Sequence, residues 1–394
     1  MISSVYSIRN NNESLVLKAI IENGPISRAS LSELTTLNKA SISSIVKTLI
    51  EERLVNETGI GDASSMGGRK PILLEYNSSS GAVVAIDIGY NYINVLVTFL
   101  DGKIILEQQL RKIEINSNTI NALLTDVLDY VIENVPKTNK GIIGCALSIH
   151  GITQNNTINF SPIYDLIGDD LYQFLSNKYD FPFYFENEAN LAALGEYTFV
   201  SRAEDLLCIS IHGGIGLGII ENGLLHHGNA GKAGEIGHSI IFPDGKACRC
   251  GNKGCLEKYA SQQAIYESVA ETFDIDIDKI NSDYVVKMLS TDHREALLEL
   301  LQEKAMYLSL CINNIILFHD PEVVYIDSSL YEKIPELLAF IHDSLNSRFT
   351  EGVKIKTSTF EGRSTLFGGV ALVLRNFLNI PVFKLRNYQQ ENLN

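Results

Sequence analysis

The chain has 394 residues, 45% of them hydrophobic, and a formal net charge of −15. That length exceeds one ordinary domain and allows two or three, each with a sizeable core. The charge excludes a protein that grips nucleic acid with its whole surface. Residues 1–12 are polar and lack the apolar stretch of a signal peptide. No apolar run reaches membrane-spanning length. A soluble, cytoplasmic protein without a membrane partner is expected. The charge is also uneven. The first 75 residues carry as many basic as acidic side chains, so the whole excess of negative charge lies beyond them. Such a shift predicts a domain boundary near Tyr76.

Residues 13–22 place Leu15, Val16, Ala19 and Ile20 on one helical face, and Asn23-Gly24-Pro25 ends that helix. Ser27 can cap a second helix with apolar Leu31 and Leu34. A third, over residues 40–54, buries Ile42, Ile45, Val46, Leu49 and Ile50. Its early outer face is Ser41, Ser43, Ser44 and Lys47, short or basic groups that suit phosphates and base edges. A hairpin over residues 55–75 follows, its glycine-rich tip carrying Arg69 and Lys70. Three helices and a basic hairpin read as a winged helix-turn-helix. An ordinary helical packing module has the same outline.

Residues 82–89 (AVVAIDIG) have the pattern of a buried strand. Strands over 92–100 and 103–112, a helix over 118–135, and strands over 140–151 and 183–185 come next. The opening pattern then recurs at residues 205–225, where strand, glycine-rich turn, strand, turn and strand follow in the same order. Helices over 261–272, 284–289, 294–318 and 365–378 and a strand over 323–326 complete the second half. Two similar α/β halves predict two lobes with a ligand cleft between them. The turn His212-Gly213-Gly214 can cradle a phosphate or simply close a hairpin, and it lacks the lysine of a nucleotide loop.

Within residues 186–190, Asn187 and Glu188 follow the strand over 183–185 and precede a helix expected over 191–197, a place where ligands bind in α/β sheets. With Glu235, His238 and Glu257 they form a set of acceptors and donors suited to a polyhydroxylated ligand, a sugar. Acids at helix starts also serve as plain caps. His238, Cys248, Cys250 and Cys255 have the spacing His-x9-Cys-x-Cys-x4-Cys, with glycines at 251 and 254. One imidazole and three thiolates make a closed tetrahedral shell for a structural Zn2+. The competing reading is a group of reduced structural cysteines. Cys145, Cys208 and Cys311 lie in apolar segments as packing residues.

These residues resemble the ROK family of repressors, open reading frames and sugar kinases. The resemblance spans nearly the whole chain and is most specific at GNAGKAGEIGH and CRCGNKGCLE, within residues 228–257. With its winged head the chain is similar to the sugar-responsive repressors of that family, such as those for xylose and N-acetylglucosamine. The resemblance implies an actin-like, hexokinase-like two-lobed α/β body behind an N-terminal winged helix. The head would be residues 1–75, the first lobe 80–200 and the second 201–394, whose C-terminal helix can return to the first. It implies zinc on His238, Cys248, Cys250 and Cys255, and sugar contacts at Asn187, Glu235, His238 and Glu257, with Glu188 beside them. The implied partners are operator DNA, a small sugar effector and further copies in a homodimer or homotetramer.

The departures weigh against the family's kinases. Those usually carry Asp-Ile-Gly-Gly-Thr-Lys in the first loop, whereas this chain has Asp87-Ile88-Gly89-Tyr90-Asn91-Tyr92. The usual Gly-Thr-Gly of the second loop is His212-Gly213-Gly214, and Asp327-Ser328-Ser329 lacks a glycine run. The kinase base, normally Asp, is Glu188, one methylene longer. An inactive kinase homologue that kept its sugar site is expected. An ATP-dependent sugar kinase is the alternative.

Overall fold

The computed structural model describes residues 11–60 and 70–385. The chain opens with helices Asn11–Asn23, Arg28–Thr35 and Lys39–Glu51. Val16, Ala19, Ile20, Leu31, Ile42, Val46 and Leu49 are buried as expected, but Leu15 and Leu34 are exposed and Leu17 takes a core position instead, because the first helix is rotated toward Leu17. Ser27 caps the second helix by accepting from Ser30 N, and Asn38 caps the third through Ser41 N. Strands Val55–Ile60 and Ile72–Tyr76 form the hairpin, and Ile26–Ser27 adds a third strand on its far edge. Arg69 lies outside the described residues.

Two five-stranded sheets follow, and they repeat one plan. In the first, Ala82–Ile88 runs antiparallel to Tyr92–Phe99 and parallel to Ile142–Ile149. Ile104–Arg111 and Phe183–Asn187 are its outer strands. In the second, Leu206–Ile211 runs antiparallel to Ile215–Glu221 and parallel to Val323–Asp327, with Leu224–Leu225 and Lys354–Thr357 outermost. All seven residues of Ala82–Ile88 are buried, as their apolar run demands, and Asp87 is buried with them. Helix Ile120–Asn134 covers the first sheet through Leu124, Val127, Leu128 and Val131. Helix Arg294–His319 packs on the second through Leu301, Ala305, Leu308 and Ile312, spaced three and four apart.

The chain divides into two compact units. One takes the described residues up to Glu186, Thr198–Val200 and those from Gly369 onward; the other takes Asn187–Tyr197 and Ser201–Gly368. The head belongs to the first unit. There Arg53 donates to Asn139 at 2.8 Å, and the Lys384 N–H donates to Glu22 at 3.1 Å.

Within the second unit a pair of glycines sets a helix crossing. A Cβ on Gly368 would lie 1.7 Å from the Leu191 carbonyl oxygen, and one on Gly195 would lie 2.5 Å from the Ser364 oxygen. Backbone meets backbone there, so nothing can rotate aside. Gly368→Ala is therefore expected to destabilise the protein by about 3 kcal/mol or more, the upper end of overpacking costs. A Cβ on Gly213 meets nothing within 4 Å, so Gly213→Ala serves as the control. Denaturant melts of both variants check this, and equal midpoints would refute the crossing.

Candidate functional site

Asn187 caps the helix Glu188–Gly195: its Oδ1 accepts from Ala189 N at 2.9 Å and from Asn190 N at 3.2 Å. Its Nδ2 donates to Glu188 Oε2 at 2.9 Å. One side chain thus starts the helix and orients the carboxylate beside it. Strand Ile215–Glu221 runs close against this helix. A Cβ on Gly218 would stand 2.2 Å from the Ala189 oxygen, and one on Gly216 would stand 3.2 Å from Glu188 Oε1. Those two glycines serve close packing. His212 N donates to Gly214 O at 3.0 Å and Ile211 pairs with Ile215, so the preceding turn closes a hairpin.

Glu235 and His238 come from a loop bound to the same strand. The Leu217 N–H donates to Gly234 O at 2.9 Å, and Gly234 has a φ of +91°, a conformation that favours glycine. His238 then points two ways. Its Nε2 lies 3.8 Å from Glu235 Oε2, and its Nδ1 lies 3.6 Å from Cys248 Sγ. Glu257 opens the helix Glu257–Ala260, with Oε1 3.1 Å from Cys248 Sγ and 3.9 Å from His238 Nδ1. Burial, then the charges of Glu188 and Glu257, raise Glu235 to about 7. The five sequence-predicted ligand residues therefore meet in the second unit, where the charges of Glu188 and Glu257 act on Glu235.

The four residues of the His-x9-Cys-x-Cys-x4-Cys spacing also converge. Their donor atoms all lie within 4.8 Å of one another. Cys250 and Cys255 sulfurs are 3.6 Å apart. Bonds of about 2.3 Å to a tetrahedral zinc would place sulfurs about 3.8 Å apart, so the observed spacing fits. The turn between them depends on Gly254, whose φ is +73° and whose added Cβ would fall 1.5 Å from the Phe242 oxygen. The Asn252 backbone N–H holds the Cys250 thiol below its ordinary value. Burial pushes Cys248 up to about 12 and Cys255 up as well. A dication reverses that preference by deprotonating the thiols it binds. Nδ1 of His238 faces the sulfurs and Nε2 faces Glu235, so a metal held here would orient the ligand-side nitrogen.

The first unit holds a network that the sequence only hinted at. Asp87, the one charge in the run AVVAIDI, accepts from Ser148 Oγ at 2.8 Å and has His150 Nε2 at 3.2 Å. The Tyr92 ring lies over Gly89: a Cβ there would be 2.0 Å from Tyr92 Cε1. The Arg111 guanidinium covers that ring at 4.9 Å. The first glycine loop is thus roofed by an aromatic side chain.

Beyond the second sheet's parallel strands lies a group of buried acids. Asp327 Oδ2 accepts from Ser364 Oγ at 2.6 Å, and His212 Nε2 lies 3.7 Å from the same oxygen. Glu196 is fully buried. Burial first, and the nearby charges of Asp327 and Glu332 after it, raise Glu196 to about 8. Burial and Asp327 likewise raise Glu332 to about 7. Because the folded pKa of Glu196, about 8, exceeds its ordinary 4.5, the unfolded chain ionises first, and stability falls as pH rises from about 4.5 to about 8 and then levels off. Glu196→Gln cannot ionise and is expected to gain a few kcal/mol over the parent at pH 9 and little at pH 5. Thermal melts across that range test it; parallel curves would contradict it.

In the head, Ser43, Ser44 and Lys47 are exposed on the helix Lys39–Glu51, and Ser41 is half-buried at its start. Lys47 lies 3.8 Å from Glu51 on the same exposed face. Lys70 is exposed at the base of the hairpin.

Residues 83–376 match the model of the ROK family. The chain belongs to the ROK family. It is 35% identical over 381 residues to a xylose repressor of Bacillus spizizenii, covering 95% of this chain and 97% of that one. It is 25% identical over 392 residues to the N-acetylglucosamine repressor of Escherichia coli, covering 96% of each. Among solved structures, a ROK transcriptional regulator described as a homologue of the E. coli MLC protein superposes with a TM-score of 0.80 at 25% identity, over 93% of this chain and 96% of that one. A ROK glucokinase from Streptomyces griseus, solved with glucose and AMPPNP, superposes with a TM-score of 0.66 at 22% identity, over 74% of this chain and 99% of that one. The two repeated sheets are therefore an actin-like α/β body of the ROK type, preceded by the helical head. Among the described residues no helix is long and apolar enough to cross a membrane.

Proposed function

We propose that this ROK protein is a sugar-responsive transcriptional repressor. The head reads operator DNA, and a sugar held by Asn187, Glu188, Glu235, His238 and Glu257 controls it. The observation that carries the reading is the extent of the likeness. Repressor relatives align along 95% of the chain, head included, whereas the glucokinase structure covers 74% of it. Residues 1–75 are the DNA-reading part and 80–200 and 201–394 the two lobes, except that the described residues from Gly369 onward pack with the first and Asn187–Tyr197 with the second. A homodimer or homotetramer would present two heads to paired half-sites. Ser41, Ser43, Ser44 and Lys47 face the groove from the third helix, and Arg69 and Lys70 reach it from the hairpin.

A zinc ion on His238, Cys248, Cys250 and Cys255 acts as a structural cross-link. Four protein donors leave no position for a substrate water. Its service is to hold His238 and Glu257 in place. The sugar acts as inducer by binding more tightly to the form that releases DNA, since only differential affinity can shift a population. The likeness to xylose repressors makes xylose the first sugar to try.

Kinase activity is absent in this reading. The Tyr92 ring covers Gly89, and Glu188 stands where the kinases usually carry Asp. Genomic fragments captured by the purified protein and then eluted by a panel of sugars test the proposal. Release by one sugar names the inducer; capture of no specific fragment overturns the repressor. Lys47→Ala is expected to weaken operator binding by about tenfold while leaving sugar affinity unchanged. Unaltered operator affinity would remove Lys47 from the interface.

A further inference from the structure

The head has a second cationic position, apart from the helix Lys39–Glu51. Ser27, Arg28 and Ala29 and, from the hairpin base, Lys70, Pro71 and Ile72 line a concavity of about 270 Å3. These segments lie far apart in sequence. They meet because Ile26 pairs with Leu74 and Ser27 with Leu73 across the three-stranded sheet. Arg28 Nη2 is held 2.8 Å from Glu57 Oε1 on the hairpin's other strand. A guanidinium has five N–H donors, so one bond to Glu57 fixes its direction and leaves donors for a second acceptor. Lys70 is exposed and, among the described residues, makes no ion pair. Ser27, Ala29 and Pro71 are small or compact, so the walls leave room for a tetrahedral group between the two cations.

We propose that this concavity seats one phosphate of the operator backbone, shared by Arg28 and Lys70. The proposal rests on the DNA-reading function of the head and adds a contact that fixes register without reading sequence. Sharing has a distinctive signature. Each phosphate neutralised contributes about 0.9 to the slope of log affinity against log salt. If both cations serve one phosphate, the loss cannot be counted twice.

The test uses the full chain and an operator fragment it has captured. Arg28→Gln, Lys70→Gln and the double variant are titrated from low to high chloride. Each single variant is expected to flatten the slope by up to about one, and the double variant by about one in total. Arg28→Lys should restore much of the slope. The ratio of operator to scrambled-fragment affinity should stay constant throughout. Melting curves confirm that the exposed Arg28 pair does not support the fold. Unchanged slopes in both single variants would remove the seat while leaving the repressor intact. A double variant flatter by about two would assign the cations to separate phosphates and overturn sharing. Failure of the parent protein to capture DNA at all would overturn both readings together.

Discussion

Cys250→Ser is expected to purify without stoichiometric metal and to bind operator DNA that no sugar releases. Three thiols and His238 Nδ1 lie within one coordination sphere, so removing one donor opens the shell. Structural zinc contributes on the order of 10 kcal/mol to the segments that it folds. The segment here is small, and what it positions is specific. His238 stands between Cys248 and Glu235, and Glu257 lies 3.1 Å from Cys248 Sγ. Loss of the metal frees both side chains, and sugar affinity should fall by a hundredfold or more, as for a site loosened by about 1 Å. The core of the second unit is built mainly on Ile209, Leu217, Ile312 and Val324, and the knuckle segment adds to it only Leu256 and the partly buried Ile241, so the variant should stay folded. Metal analysis of the purified variant and calorimetry with sugar are the measurements. Retention of one zinc per chain would show that the shell is wrongly assigned. Zinc loss with unchanged sugar affinity would separate the metal from the ligand site.

Much of the architecture was legible because its periodicities are strong. The run AVVAIDI is a strand over Ala82–Ile88, and the three head helices fall within a few residues of their expected ends. The repeat of strand, turn and strand also showed through, since buried strands of apolar residues leave a plain pattern. Short or polar elements did not. The hairpin Ile152–Gln154 with Thr157–Phe160 is too brief for a period, and the edge strand Lys354–Thr357 alternates lysine with apolar residues in only four positions. The helix expected from Leu191 starts at Glu188 because Asn187 caps it, and it ends in a π-turn over Glu196–Val200. At the site, residue types announced the metal donors and the acids. The sequence did not announce that Gly216 and Gly218 admit a helix, or that Tyr92 roofs Gly89. Those are facts of close approach, and they depend on which backbone arrives from elsewhere in the chain. Glu196 was likewise invisible: a Glu in an apolar helix reads as an exposed position until the surrounding shell is seen.

Glu188→Gln separates the repressor from the kinase more sharply than any other single change. In the repressor, Glu188 is an acceptor for sugar hydroxyls, held toward them by Asn187 Nδ2. The substituted amide would set its own NH2 against that donor or turn its acceptor away from the ligand. A hydrogen bond to a charged group contributes about 1.5–3 kcal/mol, so sugar affinity should fall between about tenfold and a hundredfold. Operator affinity without sugar and zinc content should not change, since Glu188 is assigned neither to the DNA contact nor to the metal donors. In a kinase the same residue would be a base acting on a bound sugar. Sugar affinity would then persist while sugar-dependent ADP production disappeared. The reverse substitution sharpens the point. Glu188→Asp restores the shorter acid usual in the kinases, yet Tyr92 still covers Gly89. It should yield no ADP. Sugar-dependent ADP from Glu188→Asp would mean that the base alone had been missing, and that the nucleotide loops had kept their function.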